Sequence, residues 1–166
     1  MGKEIPAAEV RTSIKTIYPR LWRYCLVLTR KPDLADDLAQ AACLRALEKA
    51  HLFQAGSHFD RWVFRLTYNL WINEMRKQAI RRGGGITSVE EANLPDPKPN
   101  QEANIFGQQV LSRLMALPRA QRSTVLLVYC EGYSYRDAAD ILGIPIGTVL
   151  SRLAAVRKKM AQHFQS

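Results

Sequence analysis

The chain has 166 residues, 47% of them apolar, with 24 Lys and Arg against 15 Asp and Glu and a net charge of +9. That apolar share builds packed cores in one compact domain or two small ones and excludes a disordered tail. The longest apolar stretch, Val125 to Cys130, falls far short of the roughly 20 residues of a membrane span, so no membrane insertion is expected. The polar N-terminus, with Lys3, Glu4 and Glu9, does not read as a signal peptide. Cys25, Cys43 and Cys130 are odd in number and widely spaced, which points to buried thiols in a reducing, cytoplasmic setting. The positive charge favours an anionic partner such as nucleic acid.

Three helices are predicted in the first block. The first carries Ile14, Ile17, Leu21, Tyr24 and Leu28 at spacings of three or four, and ends near Lys31-Pro32, since proline disfavours helix at the residue before it. Asp33 then stands as the N-cap of a second helix, with Asp36 at the capping-box position. Leu34, Leu38, Ala41 and Leu44 form its apolar stripe, to about Lys49. His51 to His58, containing Gly56, reads as a loop. Ser57 or Asp60 caps a third helix running to about Arg82. Phe59, Trp62, Val63, Leu66 and Leu70 lie on one side of it. Phe64, Tyr68, Trp71 and Met75 lie roughly opposite, flanked by Arg61 and Gln78. A helix apolar all round is either buried from several sides or offers a surface for stacked bases or a protein. The closing run Arg76, Lys77, Arg81 and Arg82 suits a helix C-terminus and phosphate contact alike.

Gly83-Gly84-Gly85, then Pro95, Pro97 and Pro99 among polar residues, mark residues 83–100 as a linker. Residues 1–82 hold 15 basic and 8 acidic residues, 83–100 hold 1 and 3, and 101–166 hold 8 and 4, so two basic blocks flank an acidic tether. Eighteen residues span at most about 60 Å extended, and about 23 Å as a flexible coil.

The second block is also all-helical. Ala103, Phe106, Val110, Leu114 and Leu117 form a stripe that stops at Pro118, which suits the first turn of the next helix. That helix carries Val125, Leu126 and Tyr129 and ends at Gly132. Thr124 to Tyr129 taken alone would pass for a buried strand.

The segment Ser134 to Leu153 has the pattern of a helix-turn-helix. Ser134 caps a short helix with Asp137 three residues on, Ala138 and Ala139 are small where a second helix must cross, Gly143 permits a left-handed turn, and Ile144 fills the angle. Val149, Leu153, Val156 and Met160 form the inward stripe of the second helix. Thr148, Ser151, Arg152 and Arg157 face away, with Lys158 and Lys159 near the end. Such a division docks a helix by one face and offers polar and basic groups to bases and phosphates by the other. A plain helical hairpin with a solvated basic face shows the same spacing.

Three segments carry a specific resemblance: Leu114-Met-Ala-Leu-Pro-Arg-Ala-Gln-Arg122, Glu131-Gly-Tyr-Ser-Tyr135, and Ile141-Leu-Gly-Ile-Pro-Ile-Gly-Thr-Val149 with Ser151-Arg-Leu153. They resemble region four of the extracytoplasmic-function sigma factors. Ala35-Asp-Asp-Leu-Ala-Gln40 with Leu44-Arg-Ala-Leu47 is similar to the region-two core. Trp62-Val-Phe-Arg-Leu66, Asn69-Leu-Trp-Ile72 and Arg76 are similar to the promoter-binding helix that follows it. The likeness covers about 10–82 and 103–160. It implies an all-α protein of two small domains, 1–82 and 101–166, joined by the tether 83–100. It also implies an alternative sigma factor that binds core RNA polymerase, directs it to promoter DNA and is held inactive by an anti-sigma factor.

The resemblance implies a polymerase contact at Asp36, Asp37 and Gln40, extended or not by Arg45. Acids in a first helical turn also favour the positive helix end by themselves. It implies minus-ten contacts on the third helix, at Arg61, Tyr68, Trp71, Arg76 and Lys77, and in the loop Leu52 to Phe59. Minus-thirty-five contacts follow at Thr148, Leu150, Ser151, Arg152 and Arg157. Three positions depart from the family pattern: Leu150 and Ala155 stand where relatives are often basic, and Asn73 where they often carry Asp. Leu150 suits a thymine methyl or weakens upstream binding. His51, His58 and His163 do not combine with the cysteines at a zinc spacing, so no metal or other cofactor is expected. No nucleophile-and-base pattern or phosphate loop points to an enzyme or a small-molecule substrate. The alternative is a stand-alone helix-turn-helix regulator acting through residues 134–160.

Overall fold

The computed structural model describes residues 7–83 and 105–163, with the side chains of 7–83 and 109–162. The tether, apart from Gly83, lies outside the described residues, as do Ala103 and the side chain of Phe106. Among the described residues the regular elements are all helical. The helices are α1 (Ala7–Thr29), α2 (Pro32–Glu48), α3 (Phe59–Arg81), α4 (Ile105–Ala116), α5 (Arg119–Val125), α6 (Tyr135–Leu142) and α7 (Ile146–His163). A 3-10 turn at Ala50–Leu52 follows α2, and a π-helical turn at Leu126–Cys130 extends α5 where a strand was conceivable. The chain divides into two units, Met1–Thr87 and Ser88–Ser166.

In the first unit α1 buries Ile17, Leu21, Tyr24 and Leu28, as the spacing predicts, together with Val10, Cys25 and Val27. Pro19 sits inside α1 on an exposed position, and the helix continues through it. The buried stripe on the other side outweighs the one backbone bond that proline removes. Tyr24 meets Phe64 of α3 edge to face, with ring centroids 5.0 Å apart. Arg20 stacks over the same Phe64 ring at 5.5 Å and pairs with Asp60 at 3.5 Å.

Of the predicted inner face of α2, only Leu38 is buried. Its buried stripe is Ala35, Ala39, Ala42 and Ala46, each fully buried, joined by Leu38. Leu34 and Leu44 face outward, at 39% and 59% exposure, and Ala41 is exposed. The helix packs against both α1 and α3, and side chains without a γ-carbon let helix axes approach closely. Its predicted caps also fail. The helix starts at Pro32, Lys31 occupies the N-cap without a side-chain bond, and Asp36 is used elsewhere.

The inner face of α3 differs too. Val63, Phe64, Thr67, Trp71 and Met75 are buried, whereas Leu66 and Leu70 are half-buried. The N-cap is His58, with neither Ser57 nor Asp60 capping; Ser57 bonds Gln54 and Asp60 pairs with Arg20. Between α2 and α3, Phe53, Phe59 and Trp62 form a ring cluster with centroid distances of 5.1 to 5.8 Å. It pins both ends of a loop whose middle, Gln54 to His58, is exposed.

In the second unit Pro118 is the N-cap of α5 rather than a residue of its first turn. Arg122 is 2% exposed and donates from Nη1 to the Leu117 carbonyl at 2.8 Å. A buried guanidinium so bonded satisfies a carbonyl that a helix end leaves unpaired. Gly132, at φ 74°, follows the π turn, and the Tyr133 N–H bonds the Leu127 carbonyl at 3.0 Å.

Ser134 caps α6 by accepting from the Asp137 N–H at 3.0 Å. Gly143 ends it at φ 65°, and the Ile144 N–H returns to the Ala139 carbonyl at 3.1 Å, a Schellman closure. Helix α7 leaves at 106° to α6. Ala139, Val149 and Leu153 form the crossing core, with Val125, Val128 and Ile144 packed around it. No single helix among the described residues is long and apolar enough to cross a membrane.

A Cβ added at Gly143 would meet nothing within 4 Å, so the cost of Gly143→Ala is its left-handed backbone alone, about 1 kcal/mol. Gly147 has equally open space and no positive φ. Gly143→Ala is therefore expected to lower the melting temperature of the second unit by several degrees, while Gly147→Ala leaves it unchanged or raises it. Circular dichroism melts of the two variants check the contrast.

Candidate polymerase-binding and nucleic-acid interfaces

The three candidate residues on α2 share its exposed side, but not one role. Asp36 Oδ1 accepts from the Trp22 indole N–H of α1 at 2.7 Å. A charge-assisted bond of that length contributes about 1 kcal/mol at an exposed site and ties α2 to α1. Asp37 and Gln40 are exposed, and no hydrogen bond or ion pair engages them among the described residues. Leu34 and Leu44 flank them. Arg45 is exposed and pairs with Glu48 at 3.8 Å. The outer face of α2 thus carries the unengaged Asp37 carboxylate and Gln40 amide, the Asp36 carboxylate tied to Trp22, and two exposed leucines, a composition suited to a protein partner. Leu34 and Leu44 escaped the sequence reading because it placed them in the core.

On α3, Arg76 and Lys77 are exposed and Arg61 and Tyr68 half-buried. Trp71 is 4% exposed and belongs to the core, so its ring offers no face to a base. Burial by α1 and α2 takes that side of the helix. The exposed stripe runs instead through Arg65, Asn69, Asn73 and Lys77, every fourth residue. This repeat is visible in the sequence and would have identified Arg65 and Asn69. Asn73 lies within the stripe, so the family departure at this position falls on an exposed surface.

On α7, Val149, Leu153 and Val156 are buried as predicted and Met160 is half-buried. Leu150, at 43%, and Ser151 are exposed; Thr148, Arg152 and Ala155 are half-buried. The Ser151 hydroxyl donates to the Thr148 carbonyl at 3.0 Å. Arg157 is exposed and donates from Nη1 to the Tyr129 hydroxyl at 3.3 Å, and Lys159 donates to Gln121 Oε1 at 3.4 Å. Arg157 and Lys159, two of the three long cations in the helix's second half, are held by groups outside α7. The N-terminal half of α7 therefore presents short polar groups, Arg152 and two exposed apolar residues, Ile146 and Leu150, and the second half presents cations.

The described residues bring no three His, Cys, Asp or Glu together as a metal site. Cys25 is fully buried, Cys43 is half-buried, and Cys130 is exposed, which corrects the expectation of three buried thiols. Burial pushes the Cys25 thiol up to about 12, with the nearby Cys43 adding to the rise. Burial also raises Cys43, and the Tyr18 hydroxyl is raised by burial, then by Cys43 and Asp36. A thiol raised in the folded state adds stability that is full below its unfolded value near 9.0 and is lost as pH climbs toward about 12. Two outcomes are expected: iodoacetamide at pH 8 alkylates Cys130 first and Cys25 last, and the melting temperature of the first unit falls above pH 9. Peptide mapping by mass spectrometry and melts across pH check them.

The chain matches known families over both units. The sigma-70 region 2 profile matches residues 14–80, and the sigma-70 region 4 profile matches residues 107–160. The chain is 34% identical over 152 residues to the ECF RNA polymerase sigma factor EcfG of Rhodopseudomonas palustris, covering 92% of this chain and 83% of that protein. It is 31% identical over 143 residues to the ECF RNA polymerase sigma factor SigM of Mycobacterium tuberculosis, covering 86% of this chain and 70% of that protein. Its structure is similar to that of the sigma factor RpoE of Bartonella quintana, solved in complex with the anti-sigma factor NepR. The TM-score is 0.74 and the identity 28%, over 95% of this chain and 97% of the other.

Proposed function

The chain belongs to the extracytoplasmic-function sigma factors of the sigma-70 family, and from that premise we propose how its surfaces divide the work of promoter recognition. Sigma factors of this family are transcription initiation factors that bind core RNA polymerase and direct it to promoter DNA. The stand-alone regulator falls as an alternative, because region 2 and region 4 both match, in order.

Residues 1–82 form the module that binds polymerase and the minus-ten element, 83–100 the tether, and 101–166 the module that reads the minus-thirty-five element. The polymerase contact is the outer face of α2, carried by Asp37 and Gln40 with Leu34 and Leu44, while Asp36 holds the face in place through Trp22. The observation that supports this reading is that α2 turns leucines outward around an unengaged carboxylate while alanines fill its core side. The minus-ten surface is Arg61, Arg65, Tyr68, Asn69, Arg76 and Lys77, next to the exposed loop Gln54 to His58. The minus-thirty-five surface is Thr148, Leu150, Ser151, Arg152 and Arg157. Leu150 makes this surface more apolar and suits contact with thymine methyl groups.

An anti-sigma factor holds the protein inactive, by analogy with the Bartonella sigma factor crystallised with NepR. The protein works in the cytoplasm and performs no catalysis itself.

Transcription from a cognate promoter with purified core polymerase tests the reading: transcripts are expected only when this chain is present. Asp37→Lys is expected to weaken binding to the core enzyme about tenfold or more, a change of 1.4 kcal/mol, with unchanged folding. Unaltered core affinity in the folded variant would show that α2 is not the contact. Arg152→Ala is expected to lower upstream-element binding, measured by footprinting of the holoenzyme.

A further inference from the structure

The π-helical turn at Leu126–Cys130 packs Val128 on the crossing core and also sets one exposed side chain, Tyr129, against α7. The Glu131 N–H bonds the Leu126 carbonyl at 2.9 Å, the five-residue step that defines such a turn. The residue it inserts advances Tyr129 around the helix. Tyr129 is 55% exposed, and its hydroxyl meets Arg157, 28 positions away, at 3.3 Å.

Three features of the pair point to an anion. Arg157 makes no ion pair among the described residues, and its helical neighbours Leu153, Ala154, Met160 and Ala161 supply no carboxylate. Its charge is therefore uncompensated, next to Lys158. The Tyr129 hydroxyl accepts from Arg157, so its own proton remains available to donate. The guanidinium uses one of its five N–H donors on Tyr129 and keeps the rest. A hydroxyl donor beside a forked cation matches the oxygens of a phosphodiester.

Position decides which anion. At about 100° per residue, Arg157 lies on the same edge of α7 as Ile146 and Leu150, which are 47% and 43% exposed. That edge borders the face holding Ser151 and Lys158. A duplex taking the α7 N-terminus into its major groove brings backbone phosphates to the edges of the helix.

We infer that Tyr129 and Arg157 together form a binding site for a DNA backbone phosphate, in which Tyr129 orients the guanidinium and donates to the phosphate itself. This rests on the reading of α7 as the upstream-element helix and adds a residue outside that helix to it.

The test uses the full chain and a fluorescein-labelled 30-base-pair duplex of mixed sequence, since a phosphate contact is independent of sequence. Anisotropy titrations across a salt series give both affinity and salt slope. Arg157→Ala is expected to weaken binding about tenfold and to reduce the slope by about one. Tyr129→Phe keeps the ring and the cation. It is expected to weaken binding about threefold to fivefold, with the slope changed by much less than one. In the Arg157→Ala background, Tyr129→Phe is expected to cost clearly less than in the wild type, because orienting the guanidinium no longer counts and only the direct hydroxyl bond is lost. Melting curves confirm that both variants fold.

Equal affinity of Tyr129→Phe and the wild type overturns the inference, as does an equal loss in both backgrounds. An unchanged salt slope in Arg157→Ala overturns it too and assigns the pair to a carboxylate-bearing protein partner instead. These outcomes leave the polymerase reading untouched, since transcription with core enzyme decides that separately.

Discussion

Close approach of helices over alanine is the constraint on which the rest of the molecule depends. In the first unit α2 packs against both α1 and α3, and Ala35, Ala39, Ala42 and Ala46 are buried without residual exposure. In the second unit Ala138 and Ala139 occupy the equivalent place, where α7 leaves α6 at 106°. Alanine has no side-chain entropy to lose and lets backbones come close, so dispersion contacts accumulate between helix surfaces. Larger residues there would force the helices apart.

That constraint has a consequence for function. A helix whose inward face is mostly alanine, with Leu38 alone among the larger residues fully on it, leaves other large apolar residues facing out. On α2 they point outward as Leu34 and Leu44, around Asp37 and Gln40. The core and the proposed polymerase surface are therefore two sides of one packing solution. The Trp22 to Asp36 bond at 2.7 Å adds an electrostatic tie across α1 and α2, so the face is presented on a stiff support. The same economy holds around α7, where buried Val149 and Leu153 dock the helix and Tyr129 and Gln121 hold its cations from outside.

Helix ends carry the remaining specification. Ser134, Gly143 and Ile144 close α6 with an N-cap, a left-handed residue and a returning N–H. Arg122 reaches the Leu117 carbonyl beyond the end of α4 from within the core. The first motif was legible in the sequence because capping is local: donor and acceptor lie three to five residues apart. The role of Arg122 was not legible, because an arginine in a helix is ordinarily solvated. Only the packing of α5 against its neighbours removes it from water.

The all-helical class, the helix-turn-helix with its turn at Gly143, the inward stripes of α1 and α7, and the family are all legible along the chain. Each of these follows from periodicity, short-range capping or motif spacing. Which side of α2 and α3 is inside depends on how the helices pack together. Both helices are apolar on more than one side, and periodicity reports a face without saying what covers it. Hence Leu34 and Leu44 came out of the predicted core, Trp71 went into it, and Asp36 exchanged a capping role for the Trp22 indole. The Tyr129 to Arg157 contact belongs to the same class. Its partners are 28 residues apart, and only a π turn of α5's extension and the crossing of α7 bring them within 3.3 Å.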